Sequence, residues 1–142
     1  MTRIRKRGFT LIEILVVIVV IAILATLVAP NVFQHVSTAK SSTAKSQIEM
    51  LSTALDAYRL DNGQYPTTQQ GLEALITKPT IDPPATWRGP YLRKEVPLDP
   101  WSEAYVYLAP GDVNTTGFDL LSYGADKKPG GEGENADILG WK

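Results

Sequence analysis

From Phe9 the chain is almost wholly apolar for 21 residues, to Ala29, and Glu13 is the only ionisable side chain among them. Coiled at the usual helical rise, such a run is about 30 Å long, the thickness of a bilayer's hydrocarbon core. No polar stripe interrupts it, which argues against a buried soluble helix. Arg3, Arg5, Lys6 and Arg7 come just before it, with no acid among residues 1–8. That asymmetry predicts a cytoplasmic N-terminus, with everything after Ala29 across the membrane. A removable secretory signal would show a small-residue cleavage site after the run. Val28-Ala29-Pro30 stands there instead, and proline fits badly just after a cut. A retained transmembrane helix is the better reading.

Beyond Pro30, where a kink or local loosening is expected, the pattern changes from continuous to periodic. Gln34, Ser37, Thr38, Lys40, Ser41 and Lys45 are polar, while Ala44, Ile48, Leu51, Leu55 and Tyr58 recur at steps of four and three. That is one stripe of a helix whose other face is wet. Asp61-Asn62-Gly63 predicts its end, because glycine accepts the left-handed conformation found there. From Phe9 to Leu60 the helix would be about 78 Å long. His35, the one histidine, lies at the polar edge of the apolar run and reads as a solvated or interfacial side chain.

Residues 64–100 predict loops with one short helix around Gly71-Leu72-Glu73-Ala74-Leu75. Pro79, Pro83, Pro84, Pro90, Pro97 and Pro100 exclude a helix interior or a central strand. Trp87, Tyr91, Leu92 and Trp101 give this stretch apolar anchors. They predict an ordered connection packed onto a sheet, with a ligand groove as the other reading. Residues 104–108 and 118–123, rich in Tyr, Val, Phe and Leu and separated by turn residues, predict two antiparallel strands. The expected fold class is α+β: a long N-terminal helix, its first half transmembrane, packed on a small antiparallel sheet with irregular loops.

Composition narrows the reading. About 110 residues remain outside the leader and span, enough for one small domain. There is no cysteine, so packing or a metal must stabilise it. The 14 basic and 15 acidic residues give a net charge of −1. Loss of the basic leader leaves ten bases against fifteen acids, a net −5. Nucleic acid is therefore not an expected partner. One isolated histidine, no cysteine and no phosphate-binding glycine loop argue against an enzyme.

Glu13 needs an explanation. A charge within hydrocarbon costs about 2.5–3.5 kcal/mol on insertion scales. Its helical neighbours, Phe9, Thr10, Val16 and Val17, offer no cationic side chain. A cut between Gly8 and Phe9 would create an ammonium four residues from Glu13, in the same chain or in a neighbouring one. Gly8-Phe9-Thr10-Leu11-Ile12-Glu13, followed by the apolar run, resembles the class III signal of type IV pilins and pseudopilins. The resemblance implies that a prepilin peptidase cuts between Gly8 and Phe9, that Phe9 becomes N-methylated, and that Glu13 guides assembly by meeting a neighbour's amine. PTTQQGLEALITKP, WRGPYL, PLDPW, FDLLSYGAD and GGEGENADI extend the likeness across nearly the whole chain. Together they resemble the major pseudopilins of type II secretion, the general secretion pathway protein G family. Ser102-Glu103 departs from that family, which commonly has glycine after the DPW, so an altered local turn is expected.

Between Tyr123 and Asp137, four glycines and four acids fall within fifteen residues. Such a loop can turn carboxylates and carbonyls toward one point, as Ca²⁺ requires, although the EF-hand spacing is absent. The residues alone leave a disordered acidic loop open as well. The resemblance implies one structural calcium ion here. By position it takes side-chain oxygens from Asp126 and Asp137 and carbonyls from Tyr123 and Lys128. Glu132, Glu134 and Asn135 stay unassigned because loop length varies in the family.

The implied organisation is a cleaved leader over 1–8, a membrane and assembly helix over 9–29, and a periplasmic domain over 30–142. The implied role is a structural subunit of a helical periplasmic fibre, anchored in the bacterial inner membrane before assembly. Its implied partners are further copies of itself, minor pseudopilins, the prepilin peptidase, a polytopic platform protein and an assembly ATPase. Two rival readings are a type IV pilin for adhesion, motility or DNA uptake, disfavoured by the missing C-terminal cysteine pair, and a membrane-tethered calcium-binding module.

Overall fold

The computed structural model describes residues 8–142, with residues 29–33 described only as part of a helix. The basic leader residues 1–7 fall outside the described residues, while the helix is continuous through Pro30, where a loosening was expected. The chain divides into two compact units, Met1–Val36 and Ser37–Lys142. One helix, α1, runs Leu11–Asn62. Three strands follow: β1 (Val106–Leu108), β2 (Asp119–Ser122) and β3 (Ile138–Leu139).

In the first unit, Leu11–Val28 form a helix long and apolar enough to cross a membrane, and none of it is buried. Its one polar side chain near the far end, Thr26, donates its hydroxyl to the Ile23 carbonyl at 2.7 Å. That bond removes most of the cost of a hydroxyl in an apolar setting.

In the second unit, the stripe read from the sequence is the core. Ala44, Ile48, Leu51, Leu55 and Tyr58 are all buried, joined by Ala54. They meet Leu72, Ala74 and Leu75 of a short 3₁₀ helix, Tyr105 and Tyr107 around β1, and Leu120 and Ile138 of the sheet. Burying each large apolar side chain contributes about 1.5–3 kcal/mol, so this seam holds the unit together. The helix stops where expected: Gly63 has φ +79° and its N–H reaches the Arg59 carbonyl at 2.7 Å.

The sheet is an antiparallel meander in the order β1-β2-β3. Val106 faces Leu121 and Leu108 faces Asp119, while Ser122 faces Ile138. Both anticipated strands exist but are shorter, and β3 is additional. All four residues of β2 are buried, as the middle strand of a covered sheet requires.

The proline-rich connection is ordered, but its anchors pack mainly on helices. Tyr91 stacks on Tyr58 of α1 at 5.4 Å, and Trp87 stands edge-on to Tyr91 at 5.9 Å. Trp87 Nε1 donates to the Ala74 carbonyl at 3.0 Å. The Tyr91 hydroxyl donates to Asp61 Oδ2 at 3.0 Å and accepts from Asn62 Nδ2 at 3.2 Å. Trp101 lies under the Lys40 ammonium, 5.9 Å from the ring centre, again on α1. The expectation of a sheet platform is thus corrected. Three short strands offer too little face, and the helix supplies the rest.

Candidate functional site at the helix start and the C-terminal loop

Gly8 is exposed, and a Cβ added there would meet nothing within 4 Å. Packing among the described residues therefore does not require glycine at this position. Phe9 beside it is 78% exposed. Thr10 and Glu13 form a reciprocal cap at the start of α1. The Glu13 N–H donates to Thr10 Oγ1 at 3.3 Å, and the Thr10 N–H reaches Glu13 Oε2 at 3.5 Å. This is the T-x-x-E capping box, which satisfies amides that the first helical turn leaves without partners. A carboxylate there also meets the positive end of the helix dipole.

The partner of the Glu13 carboxylate is thus a backbone amide of its own helix start rather than a cationic side chain. The spacing Thr10-Leu11-Ile12-Glu13 was the available signal. The second reaching bond is long and engages only Glu13 Oε2, so the carboxylate keeps capacity for a donor outside its own helix.

The second candidate site is the loop from Tyr123 to Asp137. Gly124–Asp126 and Gly133–Asn135 are 3₁₀ turns that pack on each other. The approach is close enough to demand glycine: a Cβ on Gly124 would lie 2.8 Å from the Ala136 carbonyl, and one on Gly131 would lie 2.4 Å from that of Asn135. Asp126 Oδ1 accepts from the Lys128 N–H at 3.1 Å, and Asp137 Oδ2 from the Gly130 N–H at 2.9 Å. Asp137 Oδ1 is buried and has no partner. A buried acceptor without a donor costs about 1–3 kcal/mol, and a cation is one way to relieve that cost. Tyr123, half-buried, leads into the first turn, and Lys128 follows Lys127, whose φ is +60°. Glu132, Glu134 and Asn135 are exposed. Among the described residues no three His, Cys, Asp or Glu side chains gather as metal ligands. Any ion held here must draw on backbone carbonyls, which suits a hard cation such as Ca²⁺ and a mixed ligand set. The buried, unpartnered Asp137 Oδ1 is the feature of this loop that fits such an ion.

Sequence reasoning missed two buried carboxylates, one of which holds this loop's base. Asp99 is 5% exposed. Its Oδ1 accepts from the Trp101 N–H at 3.0 Å and the Glu103 N–H at 2.8 Å. Its Oδ2 accepts from the Ser122 hydroxyl, which in turn accepts from the Gly124 N–H at 3.2 Å. Asp119, also buried, accepts from the Val113 and Asn114 N–H groups at 2.7 and 2.9 Å. Gly111 is glycine for that reason, since a Cβ would lie 2.4 Å from Asp119 Oδ1. An aspartate before proline is a turn signal in itself. Nothing local revealed that Asp99 would reach Ser122. Ser102 has φ +68°, so serine stands in a left-handed position that favours glycine.

An exposed apolar helix opened by a capped acid, together with a small α+β unit that has its own glycine-rich loop, is the pattern of a pilin-like protein. The comparisons with known proteins make this specific. The family model for "Type II secretion system (T2SS), protein G" matches residues 31–141, and the prokaryotic N-terminal methylation motif matches residues 3–29. The type II secretion system core protein G of Pseudomonas aeruginosa is 52% identical over 142 residues, covering 99% of both chains. That of Vibrio cholerae is 49% identical, covering 99% of this chain and 96% of its own. The crystal structure of the major pseudopilin from the type 2 secretion system of enterohaemorrhagic Escherichia coli superposes with a TM-score of 0.65. That match has 39% identity and covers 75% of this chain and 87% of the other. The chain belongs to the type II secretion system protein G family, and is by that membership a structural pseudopilin of secretion.

Proposed function

We propose that this chain is the major subunit of the pseudopilus, polymerising into a periplasmic fibre whose growth helps drive folded proteins across the outer membrane. The precursor lies in the inner membrane with residues 1–8 in the cytoplasm and its second unit in the periplasm. A prepilin peptidase cuts between Gly8 and Phe9 and methylates the new amine of Phe9. Further copies, minor pseudopilins, a platform protein and an assembly ATPase then act on the cut chain.

The observation that carries this reading is the apolar helix surface with one acid at its head. All of Leu11–Val28 is unburied within the single chain. Such a surface needs either lipid or other helices. Packed helices would exclude water around Glu13, and a neighbour's methylated ammonium would then pair with it in a low-dielectric setting. Glu13 Oε1, unused by the cap, is the acceptor for that ammonium. A structural Ca²⁺ in the loop from Tyr123 to Asp137 would be held by Asp126, Asp137 and the Tyr123 and Lys128 carbonyls, and would supply the missing partner of Asp137 Oδ1.

Glu13→Ala tests the assembly role. Insertion and cleavage should proceed while the yield of sheared fibres falls at least tenfold by immunoblot. A normal fibre yield would refute the charge-pairing role.

A further inference from the structure

Two tethers run from the turn at residues 99–103 to the 3₁₀ segment that carries Asp126. The inner one is the buried chain of Asp99, Ser122 and the Gly124 N–H described above. The outer one is an ion pair between Lys127 Nζ and Glu103 Oε1, with side chains 54% and 47% exposed. It is the one ion pair found among the described residues. Exposed pairs of this kind add little to stability, so its value lies elsewhere.

Lys127 is next to Asp126 in sequence, and Glu132, Glu134 and Asp137 lie on the limb of the loop that packs against this turn. Four acids, Asp126, Glu132, Glu134 and Asp137, belong to the same loop as Lys127 and are possible counter-ions for its ammonium. Here it is drawn to Glu103 instead, on the neighbouring turn. Lys127's left-handed backbone, φ +60°, ends the 3₁₀ turn at the residue that reaches this partner.

We infer that Glu103 is a positioning residue for cation binding. It parks the Lys127 ammonium on the 99–103 turn, so that the lysine does not compete with a divalent ion for Asp126 and Asp137. The inference rests on the calcium reading of this loop.

The test is a calorimetric titration of Ca²⁺ into the full chain in detergent at low ionic strength, after metal removal. Four chains are compared: wild type, Glu103→Gln, Lys127→Met and the double variant. Glu103→Gln should raise the calcium Kd about three- to fivefold, an effect that shrinks with added salt. The double variant should return to within about twofold of wild type, because the competing charge is gone. Melting temperatures in chelator should coincide for all four, since the pair contributes little to the fold itself. An unchanged Kd in Glu103→Gln would overturn the inference alone. So would a double variant as weak as Glu103→Gln, which would make the pair a plain tether. No calcium uptake by wild type would overturn the calcium reading as well.

Discussion

Removing calcium from the full chain should lower the melting temperature of the second unit by about 12 °C. The size follows from the unit's length and from mass action. For about 105 residues, Ser37–Lys142, average unfolding entropies give about 0.2 kcal/mol per degree. An ion present at about a hundred times its Kd adds about 2.7 kcal/mol to the folded state. The structure indicates where that energy acts. Asp137 Oδ1 is buried without a donor, while Oδ2 is used by the Gly130 N–H. Without the ion the loop carries that unpaired acceptor, so Asp137→Ala in chelator should lie within about 1 kcal/mol of wild type. With calcium added, wild type should gain the full shift and the variant should gain none. Near-UV circular dichroism of the detergent-solubilised chain follows the transition through Trp87, Trp101 and Trp141. Superimposed wild-type curves with and without calcium would refute the metal site. A full calcium shift retained by Asp137→Ala would refute its ligand assignment.

Two further outcomes follow from the second unit alone. Ser102→Gly should raise stability by about 0.5–1 kcal/mol in chemical denaturation, the relief of a left-handed serine less the extra freedom glycine gives the unfolded chain; a loss would show that the serine side chain stabilises the turn. Tyr105 and Tyr107 are buried, and burial pushes both phenols well above their ordinary range, with the Asp99 charge adding to it at Tyr105 and the neighbouring Tyr58 and Tyr65 at Tyr107. The folded state then holds these protons more tightly than the unfolded chain. Stability should be level below about pH 10 and should fall above it, by up to about 1.4 kcal/mol per pH unit for each tyrosine. Stability that rises or stays flat from pH 10 to 11.5 would contradict this burial.

Much of the architecture was legible because it is periodic. Ala44, Ile48, Leu51, Leu55 and Tyr58 mark one face of a helix through spacing alone, and all are buried. Gly63 announced the helix end through its conformational freedom. What escaped was short or non-local. A two-residue strand, Ile138–Leu139, has no period to detect, and its place is set by hydrogen bonds to β2. The Trp87 and Tyr91 rings were legible as anchors, but not the helix they pack on, since any apolar surface would accept them. At the candidate sites, residue types were legible and partners were not. Glu13 stands out as a lone charge, while its cap by Thr10 shows only in a T-x-x-E spacing inside an otherwise apolar run. The density of glycines and acids marked the loop from Tyr123 to Asp137, while Asp126 and Asp137 were singled out only by the family resemblance. The Asp99–Ser122 bond beneath them joins residues 23 apart in sequence and carries no local signature.

Intact-mass and N-terminal fragment spectrometry of the chain extracted from its native membrane tests the central claim most directly. The account expects a polypeptide that starts at N-methyl-Phe9, with Glu13 unmodified four residues further on. A native protein that still begins at Met1 would contradict it, because the amine that Glu13 is to meet would never form.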